Sequence, residues 1–280
     1  MGNYDENSEA QKFWNEEGGN KWADNIDFIE SILVPMSNIL LEKIAAKSGA
    51  FILDVGCGGG ITSMKLAEQV GDAGMVLGCD VSEPIIGVAI KRAAGISNLQ
   101  FHLGDAATAD LGEARFDLVT SRFGVMFFDD PILAFSNLHK SLKTGGRLLF
   151  LCWRTIAENP WLGEPVSATY QILPPPAEKP DPTAPGPFSL GDPEHLKNIV
   201  ESAGFHNVDL QAVDMGMPMG SMDDAISFLT KLGPAADAIK EATEAEKIAV
   251  IAAMRKVMDK YETGSGVITP AATWLVTAAK

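Results

Sequence analysis

The chain has 280 residues, 22 of them basic and 37 acidic, for a formal charge of −15 and a pI near 4.6. That length allows one large domain or two small ones with a sizeable core, and the acidic balance repels phosphate backbones and anionic lipid surfaces, which argues against nucleic acid and membrane as partners. No apolar run approaches the roughly 20 residues that span a bilayer, and the acidic stretch Met1 to Glu9 lacks the basic end and apolar core of a signal peptide, so a cytoplasmic protein is expected.

Residues 1–50 read as a helical preface. Phe13, Trp14 and Trp22 lie in a polar stretch, and Gly2 lacks the hydroxyl residue a myristoylation signal needs, Glu6 standing in its place. Pro35 suits the first turn of a helix that carries Ile39, Leu40, Ile44 and Ala45 on one face, with Gly49 as its stop. Next comes Phe51-Ile52-Leu53-Asp54-Val55-Gly56-Cys57-Gly58-Gly59-Gly60, an apolar run entering a glycine loop, with Ile61, Met64, Ala67 and Val70 at helical spacing behind it. That is strand, tight turn and helix, the opening of a nucleotide-binding α/β unit. A dinucleotide fingerprint would put Gly or Ala at position 61, so that the pyrophosphate sits on the helix N-terminus. Here the residue is Ile61, and Asp54 would repel two phosphate charges. A ligand carrying an ammonium and a sulfonium has the opposite preference.

Met75 to Cys79 is a second strand, ending in Asp80, where an acid can accept both ribose hydroxyls. Ser82 and Pro84 start the next helix, along which Ile85, Ile86, Ala89, Ile90 and Ala93 recur. Asn98 to Leu103 is a third strand, followed by Gly104-Asp105-Ala106, and Phe116 to Thr120 a fourth, running through Ser121 into an apolar stretch that ends at Phe128. Pro131 starts a helix with Leu133, Leu138 and Leu142, Gly145-Gly146 ends it, and Arg147 to Trp153 is the fifth strand. Pro174 to Pro187 holds seven prolines in fourteen residues, which excludes helix and ladder strand and leaves an extended surface segment. Asp192-Pro193-Glu194 then starts a helix, and Val208 to Val213 is a strand. From about 214 to 270 the pattern is helical, with Ser221 ahead of two acids and Val250, Met254, Val257, Met258 and Tyr261 on one face. An apolar strand returns at Thr273 to Ala278. Three cysteines, Cys57, Cys79 and Cys152, have no paired spacing, so neither a disulfide framework nor a zinc site is indicated; they read as buried thiols.

The run Asp54-Val55-Gly56-Cys57-Gly58-Gly59-Gly60 resembles the acid-x-Gly-x-Gly-x-Gly signature of class I S-adenosylmethionine-dependent methyltransferases, small-molecule type, similar to the ubiquinone and menaquinone group. Asp80, Gly104-Asp105-Ala106 and Leu142-Lys143-Thr144-Gly145-Gly146 extend that resemblance in order, the last with Thr144 where the family has proline. The resemblance covers about 51 to 213 and the last ten residues. It implies one domain built as a Rossmann-like α/β fold, with a seven-stranded, mostly parallel sheet, helices on both faces and an antiparallel last strand. Within it, 1–50 would form an N-terminal helical lid, 51–213 the core, 214–270 an inserted helical cap and 271–280 the last strand. The implied cofactor is S-adenosyl-L-methionine, leaving as S-adenosyl-L-homocysteine, with no metal. Its implied binding residues are Asp54, Gly56, Gly58, Asp80, Val81, Asp105, Ala106, Ser121 and, from the lid, Trp22. The partner is a small-molecule methyl acceptor, and a homodimer is admitted.

Methyl transfer from a sulfonium needs chiefly alignment and exclusion of water, and a general base only for a poorly nucleophilic acceptor. None of His102, His139, His195 and His206 stands where that base is needed, so no catalytic residue is assigned; Arg122, Trp153, Arg154 and Trp161 are pocket candidates by position. Two rival readings remain, an NAD(P)-dependent oxidoreductase and a non-catalytic binding module on the same fold. Arsenic methyltransferases also use cysteines, but outside the nucleotide loop.

Overall fold

A computed structural model describes residues 9–177 and 181–280. Gly2, Glu6 and residues 178–180 of the proline segment lie outside the described residues. Seven strands form the main sheet: β1 (Phe51–Val55), β2 (Met75–Asp80), β3 (Leu99–Leu103), β4 (Phe116–Arg122), β5 (Leu142–Trp153), β6 (His206–Pro218) and β8 (Gly266–Ala279); the two-residue β7 (Glu262–Thr263) pairs with β8 alone. Their order is β3-β2-β1-β4-β5-β8-β6. Neighbours from β3 to β5 run parallel, while β8 is antiparallel to both β5 and β6. The chain therefore reverses its winding direction between β1 and β4, and the crevice at such a switch point is where open α/β sheets take ligands.

Burial explains the strand sequences. Four of the five residues of β1 and the last six of β5 are buried, as expected of strands covered on both faces, which read as near-continuous apolar runs. The edge strand β6 alternates instead and exposes Asn207, Asp209 and Gln211, a polar edge that discourages further strand pairing. Helices α5 (Ile61–Val70), α6 (Glu83–Arg92), α7 (Pro131–Ser141) and α9 (Pro193–Ser202) make the crossovers. The preface is four short helices, α1 (Glu9–Asn15), α2 (Glu17–Asp24), α3 (Ile26–Ile32) and α4 (Val34–Ile44). Of these, α4 buries Met36, Leu40 and Ile44 in the same core as Ile52, Val119 and Phe150.

Four boundaries differ from those the sequence implies. Helix α4 stops at Ile44 because Ala45 takes the left-handed conformation, with its N–H on the Leu41 carbonyl; Gly49, at φ +80°, turns the chain into β1 instead. Strand β5 begins directly after α7, so Gly145-Gly146 lies inside the strand, and the register against β4 shifts between Phe116 and Leu118. Strands β6 and β8 reach beyond 213 and back before 271 because residues 214–218 pair with 268–272, from Asp214 opposite Ala272 to Pro218 opposite Ile268. Pro270 is tolerated there because β8 pairs with β5 only from Thr273 onward, and proline suits a strand side that owes no ladder bond. The helical insertion is thus confined to 219–265, with α10 (Met222–Leu232), α11 (Ala236–Glu241) and α12 (Glu244–Met258). Helix α10 starts on a reciprocal capping box between Ser221 and Asp224, and α12 packs on α8 (Pro160–Thr169).

Candidate active site

A cavity of about 660 Å³ opens at the carboxyl ends of β1, β2 and β4 and runs from the glycine loop to the inserted helices. The loop is shaped by backbone geometry. Gly56 sits at φ +63°, and a Cβ on it would come within 2.6 Å of the Gly124 Cα, so the chains leaving β1 and β4 touch at two glycines. Ser121 fastens this crossing by donating its hydroxyl to the Val55 carbonyl at 2.7 Å and accepting the Gly124 N–H at 3.1 Å. Gly58, at φ +56°, has nothing within 4 Å of where a Cβ would be. Its restriction is conformational, and the space above it is open.

Asp80 anchors the loop from the next strand. Its Oδ2 accepts the Gly58 N–H at 2.8 Å and its Oδ1 the Ser82 N–H at 3.0 Å, which leaves each oxygen capacity for a further donor. Burial raises its pKa against the pull of those N–H groups. Ser82 is no side-chain cap for α6; its hydroxyl goes to the Trp14 carbonyl at 2.6 Å. Asp105 accepts the Ala107 N–H at 2.9 Å and the Gln11 amide at 3.2 Å. The Val81 carbonyl accepts the Asn15 amide at 2.9 Å. Helix α1 therefore lies along the same edge as Asp80, Val81 and Asp105. Trp14 makes edge contacts with Trp22 at 5.5 Å and Phe127 at 5.1 Å, which closes that side.

Of the nine residues the sequence singles out for the cofactor, Gly56, Gly58, Asp80, Val81, Asp105, Ala106 and Trp22 line the cavity. Asp54 and Ser121 do not, and act from behind the wall. Asp54 is 1% exposed and accepts the Ser63 hydroxyl at 2.6 Å. Burial pushes its carboxyl up to about 6, against the Ser63 hydrogen bond and the Arg122 charge.

Arg122, Trp153 and Trp161 also line the cavity. Arg154 does not: it pairs with Asp214 at 2.7 Å and with Glu158, and lies over the Trp274 ring. The half of the cavity away from Asp80 is aromatic. Phe123, in the left-handed region at φ +66°, stacks on Trp153 at 4.2 Å and 8°; Trp161 follows at 5.1 Å and Phe228 of α10 at 6.5 Å. Met126, Leu162 and Met217 complete that wall. No histidine lines the cavity, and the described residues contain no cluster of three or more His, Cys, Asp or Glu able to hold a metal. All three cysteines are buried. Cys79 faces the cavity, but burial pushes its thiol up to about 12, which makes it a poor nucleophile.

Sequence reasoning missed Gln11, Asn15, Glu30, Met217 and Phe228. Only Glu30 carried a signal, an acid on the apolar face marked by Ile26, Ile29 and Leu33.

Comparison with known proteins agrees with this geometry. Residues 52–146 match the family model described as a methyltransferase domain. Over 187 residues the chain is 27% identical to a demethylmenaquinone methyltransferase of Staphylococcus carnosus, an alignment covering 64% of this chain and 77% of that protein. Over 116 residues it is 32% identical to nocamycin O-methyltransferase of Saccharothrix syringae, 41% of each chain. Among solved structures, phosphoethanolamine N-methyltransferase 2 of Haemonchus contortus, in complex with S-adenosyl-L-methionine, shares the fold with a TM-score of 0.61 at 16% identity, covering 98% of this chain and 60% of that one.

Proposed function

We propose that this chain, a class I S-adenosylmethionine-dependent methyltransferase, methylates a flat, largely apolar small molecule of the reduced-quinone or phenol class. The observation that carries the reading is a cavity in which a wall of glycine backbone and carboxylates meets a wall of packed aromatic rings at the Gly56–Gly124 crossing. The residues present suit the nucleoside. Asp80 offers carboxylate oxygens with spare capacity to ribose hydroxyls, Asp105 and Ala106 line the cavity beside it for the base, and Trp14 and Trp22 line it from the preface. The open space above Gly58 supports close approach of a ligand to the backbone. Bound there, S-adenosylmethionine supplies an electrophilic methyl group on a sulfonium, which leaves as neutral S-adenosylhomocysteine.

The protein's share of catalysis is positioning. The two walls are fixed to one sheet, and holding acceptor and methyl carbon about 3 to 3.5 Å apart converts a bimolecular encounter into an oriented one. Stacked rings favour a planar acceptor, because offset or edge contacts between rings add about 0.5–1.5 kcal/mol beyond area burial. The inserted helices and α1 exclude water from the methyl group. No histidine stands on the wall, and the cavity's other titratable side chains include Asp129, Lys231 and Asp237.

Similarity to the demethylmenaquinone methyltransferase supports a quinone-type ring as the first acceptor to try. The test is methyl transfer from radiolabelled S-adenosylmethionine to a panel of demethylmenaquinols, catechols, small phenols and, as a contrast, phosphoethanolamine. Turnover confined to the planar compounds is expected. Turnover of phosphoethanolamine alone would overturn the acceptor class.

A further inference from the structure

The aromatic half of the cavity holds one donor that its neighbours leave unused. Of the rings and thioethers that build this wall, only Trp153 and Trp161 carry a hydrogen-bonding nitrogen. Trp161 gives its indole N–H to Asn159 Oδ1 at 3.1 Å, and Trp274, outside the cavity, gives its own to the Gly191 carbonyl at 2.9 Å. Buried indoles usually find such a partner. The Trp153 indole N–H has none among the described residues, although Trp153 is only 5% exposed. Nor is it fully enclosed: the enclosed polar side-chain atoms without a partner among the described residues are Glu30 Oε1, Thr120 Oγ1, Arg154 Nε and Thr269 Oγ1. The N–H is therefore open to space, and the space that Trp153 borders is the cavity.

The ring that carries this donor is held firmly. Phe123 stacks on it at 4.2 Å and 8°, Trp161 packs against it at 5.1 Å and 50°, and the Trp153 backbone N–H donates to Met126 Sδ at 3.4 Å. Keeping Phe123 in place strains the chain, because its φ of +66° lies in the left-handed region that bulky side chains avoid. Strain of this kind persists only where the surroundings enforce it, and it gathers at ligand sites. With Phe123 over one face, the indole meets a ligand at its edge, where the N–H lies in the plane of the ring. A donor so fixed discriminates. An oxygen placed before it accepts the bond, whereas a hydrocarbon in the same place displaces water and leaves the N–H unpaired.

We infer that Trp153 determines acceptor specificity, its indole N–H donating to an oxygen, hydroxyl or carbonyl, carried in the plane of the acceptor ring. The inference rests on the acceptor class proposed above and narrows it. Flatness is not sufficient: the ring must present an oxygen toward the end of β5. Stacking holds a ring at a given height but lets it turn in its own plane, while one directed hydrogen bond stops that rotation. Packing in this wall thus supplies affinity, and the Trp153 N–H sets which ring atom faces the methyl group.

The test uses 1-naphthol and naphthalene, which share a ring system and differ by one hydroxyl. Their binding to the full chain is measured by equilibrium dialysis in excess S-adenosylhomocysteine. The unaltered protein should hold 1-naphthol roughly three- to tenfold tighter, as one net hydrogen bond implies. Replacing Trp153 by 3-benzothienylalanine puts sulfur where the N–H was and keeps the shape of the ring. That isostere should bring the two affinities within about twofold of each other and leave naphthalene binding unchanged. Trp153→Phe should lose the same preference, with both ligands weakened by the smaller ring. A preference for 1-naphthol that survives the isostere would give the hydroxyl to another donor and overturn the inference. Equal weakening of both ligands by the isostere would reduce Trp153 to packing, and no preference in the unaltered protein would leave its N–H to water; each overturns the inference with the planar acceptor class intact. Binding of neither compound removes that class and this inference together.

Discussion

The two walls of the cavity are built in opposite ways. On the side proposed for the nucleoside, position is set by backbone: left-handed glycines at 56 and 58, a hydroxyl staple from Ser121, and an Asp80 carboxylate tied to two N–H groups. On the far side, position is set by large side chains from β5, α8, β6 and α10, namely Trp153, Trp161, Met217 and Phe228. A wall made of backbone has few alternatives, since each glycine sits where an L side chain is strained. Rings and thioethers can be exchanged for others of similar volume at modest cost. The first wall should therefore tolerate almost no change without losing the cofactor, and the second should change acceptor while the cofactor stays.

The largest effect expected from disturbing the first wall comes from behind it. Asp54 is buried, and its folded pKa of about 6 stands above the ordinary 3.8. A raised pKa means that the folded state holds the proton more tightly, so this group's contribution is present in full below about pH 4 and is lost as pH rises through 6. The gap is worth about 3 kcal/mol. Asp54→Asn, which keeps an acceptor for Ser63 without the charge, should be more favourable relative to the native protein at pH 8 than at pH 4, by roughly that amount in urea denaturation. The same difference at both pH values would mean that Arg122 and Ser63 fully offset burial.

Asp80→Ala tests the wall itself. Hydrogen bonds to a charged acceptor contribute about 1.5–3 kcal/mol each, which predicts a rise of roughly ten- to hundredfold in the S-adenosylmethionine dissociation constant by calorimetry. The structure adds a second consequence, because the same carboxylate holds Gly58 and Ser82. Loop geometry and ribose contact fall together, so Asp80→Asn should recover only part of the loss. Unchanged affinity in the alanine variant would remove Asp80 from the nucleoside site.

The contrast between the walls also decides what could be read in advance. Glycines and acids at strand ends are few, and the reasons the sequence offers for them are local: a tight turn and the hydrogen-bonding capacity of a carboxylate. Gly56, Gly58, Asp80 and Asp105, which the sequence singles out, line the cavity, and the parallel sheet that carries them, with its antiparallel last strand, was legible too. Asp54 and Ser121 were legible as part of the site, but not as standing behind it, because depth along a strand end depends on what packs above. The aromatic wall is assembled from residues as far apart as 123 and 228, and a Phe on an amphipathic helix has the same pattern whether it faces core or cavity. Strands β6 and β8 read short because the helical pattern is assigned to the whole of 214–270, whereas residues 214–218 pair with 268–272. Arg154 follows Trp153 in the sequence but lies just past the end of β5, where it pairs with Asp214 and Glu158 instead of lining the cavity.

Phe228→Ala probes the second wall and should have the smallest effect of the three. Phe228 comes from α10, packs at 5.8 Å against Phe28 of the preface and at 6.5 Å against Trp161, and is partly rather than fully buried, so its removal opens space in the cavity more than it leaves a void in the core. Loss of one ring contact, about 0.5–1.5 kcal/mol beyond area, predicts a rise of roughly three- to tenfold in the acceptor KM for a planar substrate. The S-adenosylmethionine dissociation constant should stay within about twofold, because no nucleoside contact proposed above involves α10. A bulkier planar acceptor should lose less than a small one, since the vacated volume admits it. Should Phe228→Ala instead weaken the cofactor as strongly as the acceptor, the contact with Phe28 would be the important one: α10 would then act by pressing the preface onto the glycine loop, and the two walls would not be independent.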